Sequence, residues 1–215
     1  MNPALDHLVV VAPSLAEGVR WCEALLGITP GPGGQHPLMG THNRLFSIAS
    51  AAFPKAYFEI IAIDPDAPPP ARARWFGMDA TDLAAVPRLA HVVARSSGLD
   101  AQCAALRAIG LDPGQSIAAS RDTPRGRLEW RISVRDDGRL LCGGALPTLI
   151  EWGTDHPSAA MPPSGVSLHA LALRGVPAAA VKTLDLAGVS FDADTGPAIT
   201  ATLDTPLGRV TLRSD

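Results

Sequence analysis

The 215-residue chain is 47% hydrophobic and 18% charged, with a formal net charge of -3. That balance excludes a disordered chain and offers no basic footprint for nucleic acid or an anionic membrane surface. No apolar run approaches the roughly 20 residues that span a bilayer, and the N-terminus lacks the basic start and apolar run of a signal peptide. A cytoplasmic protein with a small-molecule ligand, no nucleic acid and no membrane contact is therefore expected. The three cysteines, Cys22, Cys103 and Cys142, are scattered without disulfide or metal spacing and read as reduced thiols.

In chain order, Leu8 to Ala12 forms an apolar run whose valines suit a buried strand, with Asp6 and His7 near its head. Ser14 and Glu17 have capping-box spacing. Leu15, Val19, Cys22 and Leu26 then fall on one helical face, and Gly27 supplies a left-handed stop. A Gly-rich segment, Gly33 to Asn43, leads through Arg44, Leu45 and Phe46 to an apolar strand, Tyr57–Ile63, whose alternation puts Tyr57, Glu59 and Ile61 on one face. The same grammar returns at Leu89–Gly110, where His91 opens a strand and Leu99, Cys103, Leu106 and Ile109 make a helical face, with Asp100 in the first turn. Strands at Leu128–Val134 and Leu146–Trp152 close that copy, and Glu151 takes the place of Glu59. A third copy starts at Leu168 with His169, has Pro177 at the first helical position and Gly188 as the stop, and ends at Val210–Arg213. Asp122 to Arg127 and Asp204 to Arg209 share the pattern Asp-Thr-Pro-x-Gly-Arg, two copies of one hairpin turn.

These repeats predict an α+β fold: a βαβββ module over residues 1–65, a Pro/Ala-rich linker over 66–86, a second βαβββ module over 87–157, and a partial third βαββ module over 165–215. The segments Pro65–Pro87 and Asp155–Gly165 read as linkers rather than core.

Two such modules, a histidine in the first strand and a glutamate in the last resemble the vicinal oxygen chelate superfamily. Gly33-Gly34-Gln35-His36-Pro37 with Gly40-Thr41-His42-Asn43, ahead of the Glu59 strand, resembles more narrowly its glyoxalase-like domain group, over about Leu5 to His156. The resemblance implies a curved mixed sheet around a cleft and a divalent metal (zinc, nickel, iron or manganese) held by His7, Glu59, His91 and Glu151. Such a mixed nitrogen and oxygen set suits those ions. It further implies a metal-dependent lyase, isomerase or dioxygenase-type enzyme acting on a small oxygen-rich metabolite, with Glu59 and Glu151 as catalytic carboxylates. The alternative is a non-catalytic protein that binds a drug or metabolite in the same cleft. Members of the superfamily often dimerise, so a homodimer is an open arrangement.

Each residue also has a structural reading. A strand histidine is commonly a hydrogen-bonded core residue, which holds for His91 above all. Glu59 is either solvent-facing or compensated in a pocket, because an isolated buried charge is prohibitive. His36 and Asn43 are substrate contacts or turn residues. Arg121 anchors a substrate carboxylate or phosphate through its fork, or pairs with Asp122 or Asp136. Trp130 and Trp152 line a pocket wall or pack in a core. His42 and His156 read as exposed loop residues.

Overall fold

The structure, a computed structural model that describes residues 3–79 and 86–214, builds the first unit from β1 (Ala4–Val11), α1 (Leu15–Leu26), β2 (Gly31–His36), β3 (Thr41–Ser47) and β4 (Tyr57–Ile63). The second follows with β5 (Arg88–Arg95), α2 (Leu99–Ala108), β6 (Gln115–Thr123), β7 (Gly126–Val134) and β8 (Thr148–Trp152). All eight strands join one mixed sheet of order β2-β3-β4-β1-β5-β8-β7-β6. At its centre β1 and β5 run antiparallel, His7 opposite Val93 and Val9 opposite His91. That reciprocal register relates the two units by a pseudo-twofold axis. The sheet curves until its edge strands β2 and β6 approach each other, which leaves a nearly closed concavity and protects both edges.

Alternation along the strands sorts side chains into two layers. Leu8, Val10, Phe58 and Ile60 point outward and pack on Cys22 and Leu26 of α1. Val9, Val11, Ile61 and Val93 point into the concavity. The α1 boundaries follow from its caps: Ser14 Oγ accepts from the Glu17 amide at 3.2 Å, and Gly27 adopts φ 71°. The Glu17 carboxylate accepts from the Ser14 hydroxyl at 2.8 Å, a variation on the capping box in which side chain meets side chain. In α2 the helix stops before Ile109, which is half-exposed rather than part of the apolar face.

The third unit, β9 (Ser167–Arg174), α3 (Ala178–Leu184), β10 (Val189–Asp192), β11 (Ile199–Thr205) and β12 (Gly208–Arg213), forms a separate four-stranded sheet of order β10-β9-β11-β12. Its inner face, including Leu168, Leu171, Leu173 and Leu203, packs in the same cluster as Leu5, Leu8, Leu89 and Val92 of the large sheet. It thus covers the outer face along the β1–β5 seam, while α3 packs on α2 through Ala180, Leu184, Leu99 and Cys103. Pro177 is the N-cap of α3, and the helix ends at Asp185 (φ 45°) rather than at Gly188, which returns Leu186 to the cluster that holds Leu184. The two Asp-Thr-Pro-x-Gly-Arg turns are alike in detail. Thr123 and Thr205 each donate to the carbonyl of the turn glycine, at 2.7 and 2.8 Å.

Both expected linkers contribute core. Within Pro65–Pro87, a single 3-10 turn at Trp75–Gly77 inserts Trp75, Phe76 and Met78 into the concave cluster; residues 80–85 of that segment lie outside the described residues. Phe76 holds φ 57°, an uncommon backbone for a bulky residue, and the next amide, Gly77, donates to the Gly138 carbonyl at 2.8 Å. Apolar rings bury wherever they occur, and the surrounding prolines and alanines mask that signal in composition. No helix among the described residues is long and apolar enough to cross a membrane.

Helix α1 lies on β4 through Gly18, where a β-carbon would collide with the Ile60 side chain. Gly18→Val is expected to lower stability by about 1–3 kcal/mol through overpacking, read as a lowered urea midpoint at unchanged slope.

Candidate active site

A β-bulge starts the site. In the β1–β5 ladder Leu5 pairs with Ala94 and His7 with Val93, which leaves Asp6 as the extra residue. Leu5 and Leu8, three apart, both face the outer core, so Asp6 and His7 both turn into the concavity. Both are almost wholly buried. His7 Nδ1 lies 2.7 Å from Asp6 Oδ1, and His7 Nε2 lies 3.4 Å from Glu59 Oε2. Glu59 comes from the neighbouring strand, where Val9 pairs with Glu59 and His7 with Tyr57, and the Tyr57 ring stacks on the imidazole at 4.5 Å.

The rest of the network saturates these groups. Asn43 of β3 donates to Glu59 Oε1 at 2.6 Å and to His36 Nε2 at 3.3 Å, while its carbonyl oxygen accepts from the Gly34 amide at 2.8 Å and from Arg121 Nη1 at 3.4 Å. His36 Nδ1 completes its bonding at Thr41 Oγ1, 3.0 Å away. Any side chain on Gly33 would strike Asn43, and one on Gly34 would strike Arg121, so the paired glycines are what let the β2 backbone close on the polar centre. At the other end Asp6 Oδ2 accepts from Trp152 Nε1 at 3.0 Å and from His156 Nε2 at 2.9 Å.

The structure therefore brings His7, His36, Asn43, Glu59, Arg121, Trp130 and Trp152 to one cleft. Arg121 makes no salt bridge with any described residue; Asp136 pairs instead with Arg72. Asp6, Tyr57, Trp75, Phe76 and His156 also belong to the cleft or its polar network. Of these, Tyr57 was legible from its alternation with Glu59. Asp6 was hidden by the bulge, and His156 by its place in a Pro-rich segment, where it reads as exposed.

His91 and Glu151 lie elsewhere. His91 is buried with both ring nitrogens occupied, Nδ1 by the Gly144 carbonyl at 2.8 Å and Nε2 by the Thr148 amide and hydroxyl at 3.1 and 2.9 Å. Glu151 is on the outer face of β8, beside Leu149, and pairs with Arg131 at 3.2 Å, whereas Ile150 and Trp152 face inward. The register gives the reason. Val9 pairs with Glu59, its counterpart Val93 pairs with Thr148, and so Thr148 rather than Glu151 occupies the place of Glu59 in the second unit. The residues present do not fit the four-ligand metal centre: His91 has no free lone pair, Glu151 points away, and no group of three or more His, Cys, Asp or Glu side chains among the described residues could hold a metal ion.

The electrostatics are those of a buried charge triad. Burial opposes the charged form of His7, yet the hydrogen bonds and charges of Asp6 and Glu59 outweigh it and raise its pKa to about 9. Burial likewise opposes ionisation of Asp6 and Glu59, but their imidazole partners hold both carboxyls below the usual range. His36, desolvated more than the Glu59 charge can offset, falls to about 4 and is neutral; His91 falls to about 3, mainly by burial. Because the folded His7 pKa lies above its ordinary value, its contribution to stability is full below about pH 6.5 and is lost as pH rises through 9; the depressed carboxyls act in the opposite sense, only at acid pH. Unfolding free energy is thus expected to fall between pH 6.5 and 9.5 by on the order of 3 kcal/mol. Urea titrations across that range check it, with His7→Gln flattening the decline.

A family model described as a glyoxalase-like domain matches residues 5–187. A hypothetical protein from Staphylococcus aureus has a similar fold, at 12% identity and TM-score 0.56, over 98% of this chain and 86% of that one. A methylmalonyl-CoA epimerase from Mycobacterium tuberculosis aligns over 73% of this chain and 91% of its own, at 17% identity and TM-score 0.41. One from Streptomyces coelicolor, in complex with 2-nitronate-propionyl-CoA, aligns over 73% and 99%, at 14% identity and TM-score 0.46. No curated protein matches. The chain belongs to the glyoxalase-like domain family.

Proposed function

We propose that the cleft is an acid–base site that moves a proton on a small, oxygen-rich carboxylate, an isomerase or lyase type of chemistry. The observation that carries the reading is the buried His7–Glu59 pair, with an imidazolium and a carboxylate facing each other at 3.4 Å in a cleft shared with Arg121, whose guanidinium makes no salt bridge with any described residue. Glu59 is the base. It takes a proton from carbon next to a substrate carbonyl, the C–H electron pair becomes the new C=C bond, and the carbonyl π pair moves to oxygen. The His7 N–H, held in place by Asp6 through the other ring nitrogen, meets the oxygen on which that negative charge collects. Return of the proton from Glu59 to the same carbon, on either face, regenerates the carbonyl and completes racemisation with no net change in atoms. Asn43 fixes the Glu59 carboxylate, and the Arg121 guanidinium binds the substrate carboxylate.

The aromatic wall of Trp130 and Trp152, with ring centroids 5.5 Å apart, favours a second reading in which the cleft holds the same ligand without turnover. The two differ in one measurement, exchange of the substrate α-proton for deuterium in heavy water, followed by NMR over a panel of short 2-oxo and 2-hydroxy carboxylates. Glu59→Gln is expected to lower the exchange rate by about 10²–10⁴-fold, and Arg121→Gln to raise KM with a smaller effect on kcat. The rate is expected to fall on the alkaline side near pH 9, as His7 loses its proton. Absence of exchange across the panel, with binding retained, would leave the binding reading. Exchange that requires an added divalent ion would restore the metal-centred expectation.

A further inference from the structure

The chain has four tryptophans, five phenylalanines and one tyrosine, and their distribution is uneven. Trp21, Phe46, Phe53, Phe58 and Phe191 all belong to the outer-face core. Every other ring, Tyr57, Trp75, Phe76, Trp130 and Trp152, lines the cleft that holds His7 and Glu59. Along the central strands the concavity is filled by aliphatic Val9, Val11 and Val93, so filling space there does not of itself require rings.

The rings are also oriented. Trp152 is locked through its N–H to Asp6 at 3.0 Å, and it stands against Trp130 on the adjacent strand, the two paired in register. Trp75 stacks on Phe76 at 5.3 Å and stands edge-on to His36 at 5.0 Å, and His36 is in turn edge-on to Trp130 at 6.2 Å. Trp75 Nε1 is buried and has no hydrogen-bond partner among the described residues. A buried N–H without a partner carries a desolvation cost. Beyond the Asp6–His7–Glu59 network the cleft presents the Arg121 cation and five aromatic rings beside Leu45, Ile132, Ile150 and Pro157, and the faces of those rings favour flat, unsaturated groups.

Resting on the proposed use of this cleft, we propose that its ligand is a planar aromatic or conjugated carboxylate, its ring held between the Trp130–Trp152 wall and Trp75 and its carboxylate on Arg121. Three probes separate the parts: benzoate has both features, cyclohexanecarboxylate lacks the flat ring, and benzamide lacks the charge. The indole N–H signals of ¹⁵N-labelled protein report contact, with Trp75→Phe, Trp130→Phe and Trp152→Phe each deleting one signal to assign it. Benzoate is expected to move the Trp130 and Trp152 signals and leave Trp21 in place, and to bind at least about tenfold more tightly than either other probe. Arg121→Gln is expected to abolish the preference for benzoate over benzamide. Equal binding of cyclohexanecarboxylate overturns the planar ligand while the carboxylate anchor and the proton-transfer reading stand. Equal binding of benzamide overturns the anchor. If no probe moves a cleft signal, the inference fails altogether, and deuterium exchange on aliphatic 2-oxo acids then decides separately whether the proton-transfer reading survives.

Discussion

The interaction on which the site depends is the pairing of one imidazolium with two carboxylates inside a sheet. His7, Asp6 and Glu59 are each nearly inaccessible to water, and none could stay charged there alone. Removing His7 would strip two buried carboxylates of the cation they share, at a cost well above that of a surface salt bridge. The geometry that permits the triad is local. One extra residue in β1 turns two consecutive side chains to the same face, and the parallel neighbour β4 presents Glu59 two residues beyond the position opposite His7. Asn43, itself held by the Gly34 amide, then donates to Glu59, so the network closes without a stranded polar group among these residues.

The pseudo-twofold makes the second unit an internal control for this arrangement. Its first strand has the equivalent bulge, since Val9 pairs with His91 and Val10 with Leu89, which leaves Ala90 where the first unit has Asp6. Thr148 stands in for Glu59, and Ile132, opposite Ile150, stands in for Asn43. The backbone of the site is thus present twice, but the charges are present once. Without acids His91 is neutral and serves packing, bonded to Gly144 and Thr148 and tilted against Phe76 at 5.5 Å. One frame with two outcomes shows that the fold supplies the strand positions, while the identity of three side chains decides whether they become a charged centre.

This contrast also explains which features could be read from the sequence. The α1 caps, the Tyr57–Ile63 strand and the two Pro-x-Gly turns were legible because each depends on residues close in the chain. The equivalence of Glu151 with Glu59 was not, because it rests on strand register; matching the last acidic residue of each unit picks a residue on the wrong face. Bulges raise the same difficulty. Asp6 precedes His7, and strict alternation would send one of them outward. The strand β2 was masked by its glycines, which are tolerated there because an edge strand can bend around Asn43 and Arg121.

The connecting segments cover the cleft. Two half-barrel units alone would leave their concavity open along one side, and water there would weaken every electrostatic interaction in it. The segment after the first unit folds Trp75 and Phe76 over the opening, and the segment after the second brings Pro157 to the cleft wall and His156 onto Asp6. Arg121 closes the gap between the edge strands from β6 and reaches Asn43 on β3. Residues from both units and both connections therefore surround a centre whose charged members come from the first unit alone. Such a division fixes the Asp6–His7–Glu59 triad on rigid strands while the aromatic lining and the Arg121 cation are supplied by other elements, so that the position of the charged centre does not depend on the segments that cover it.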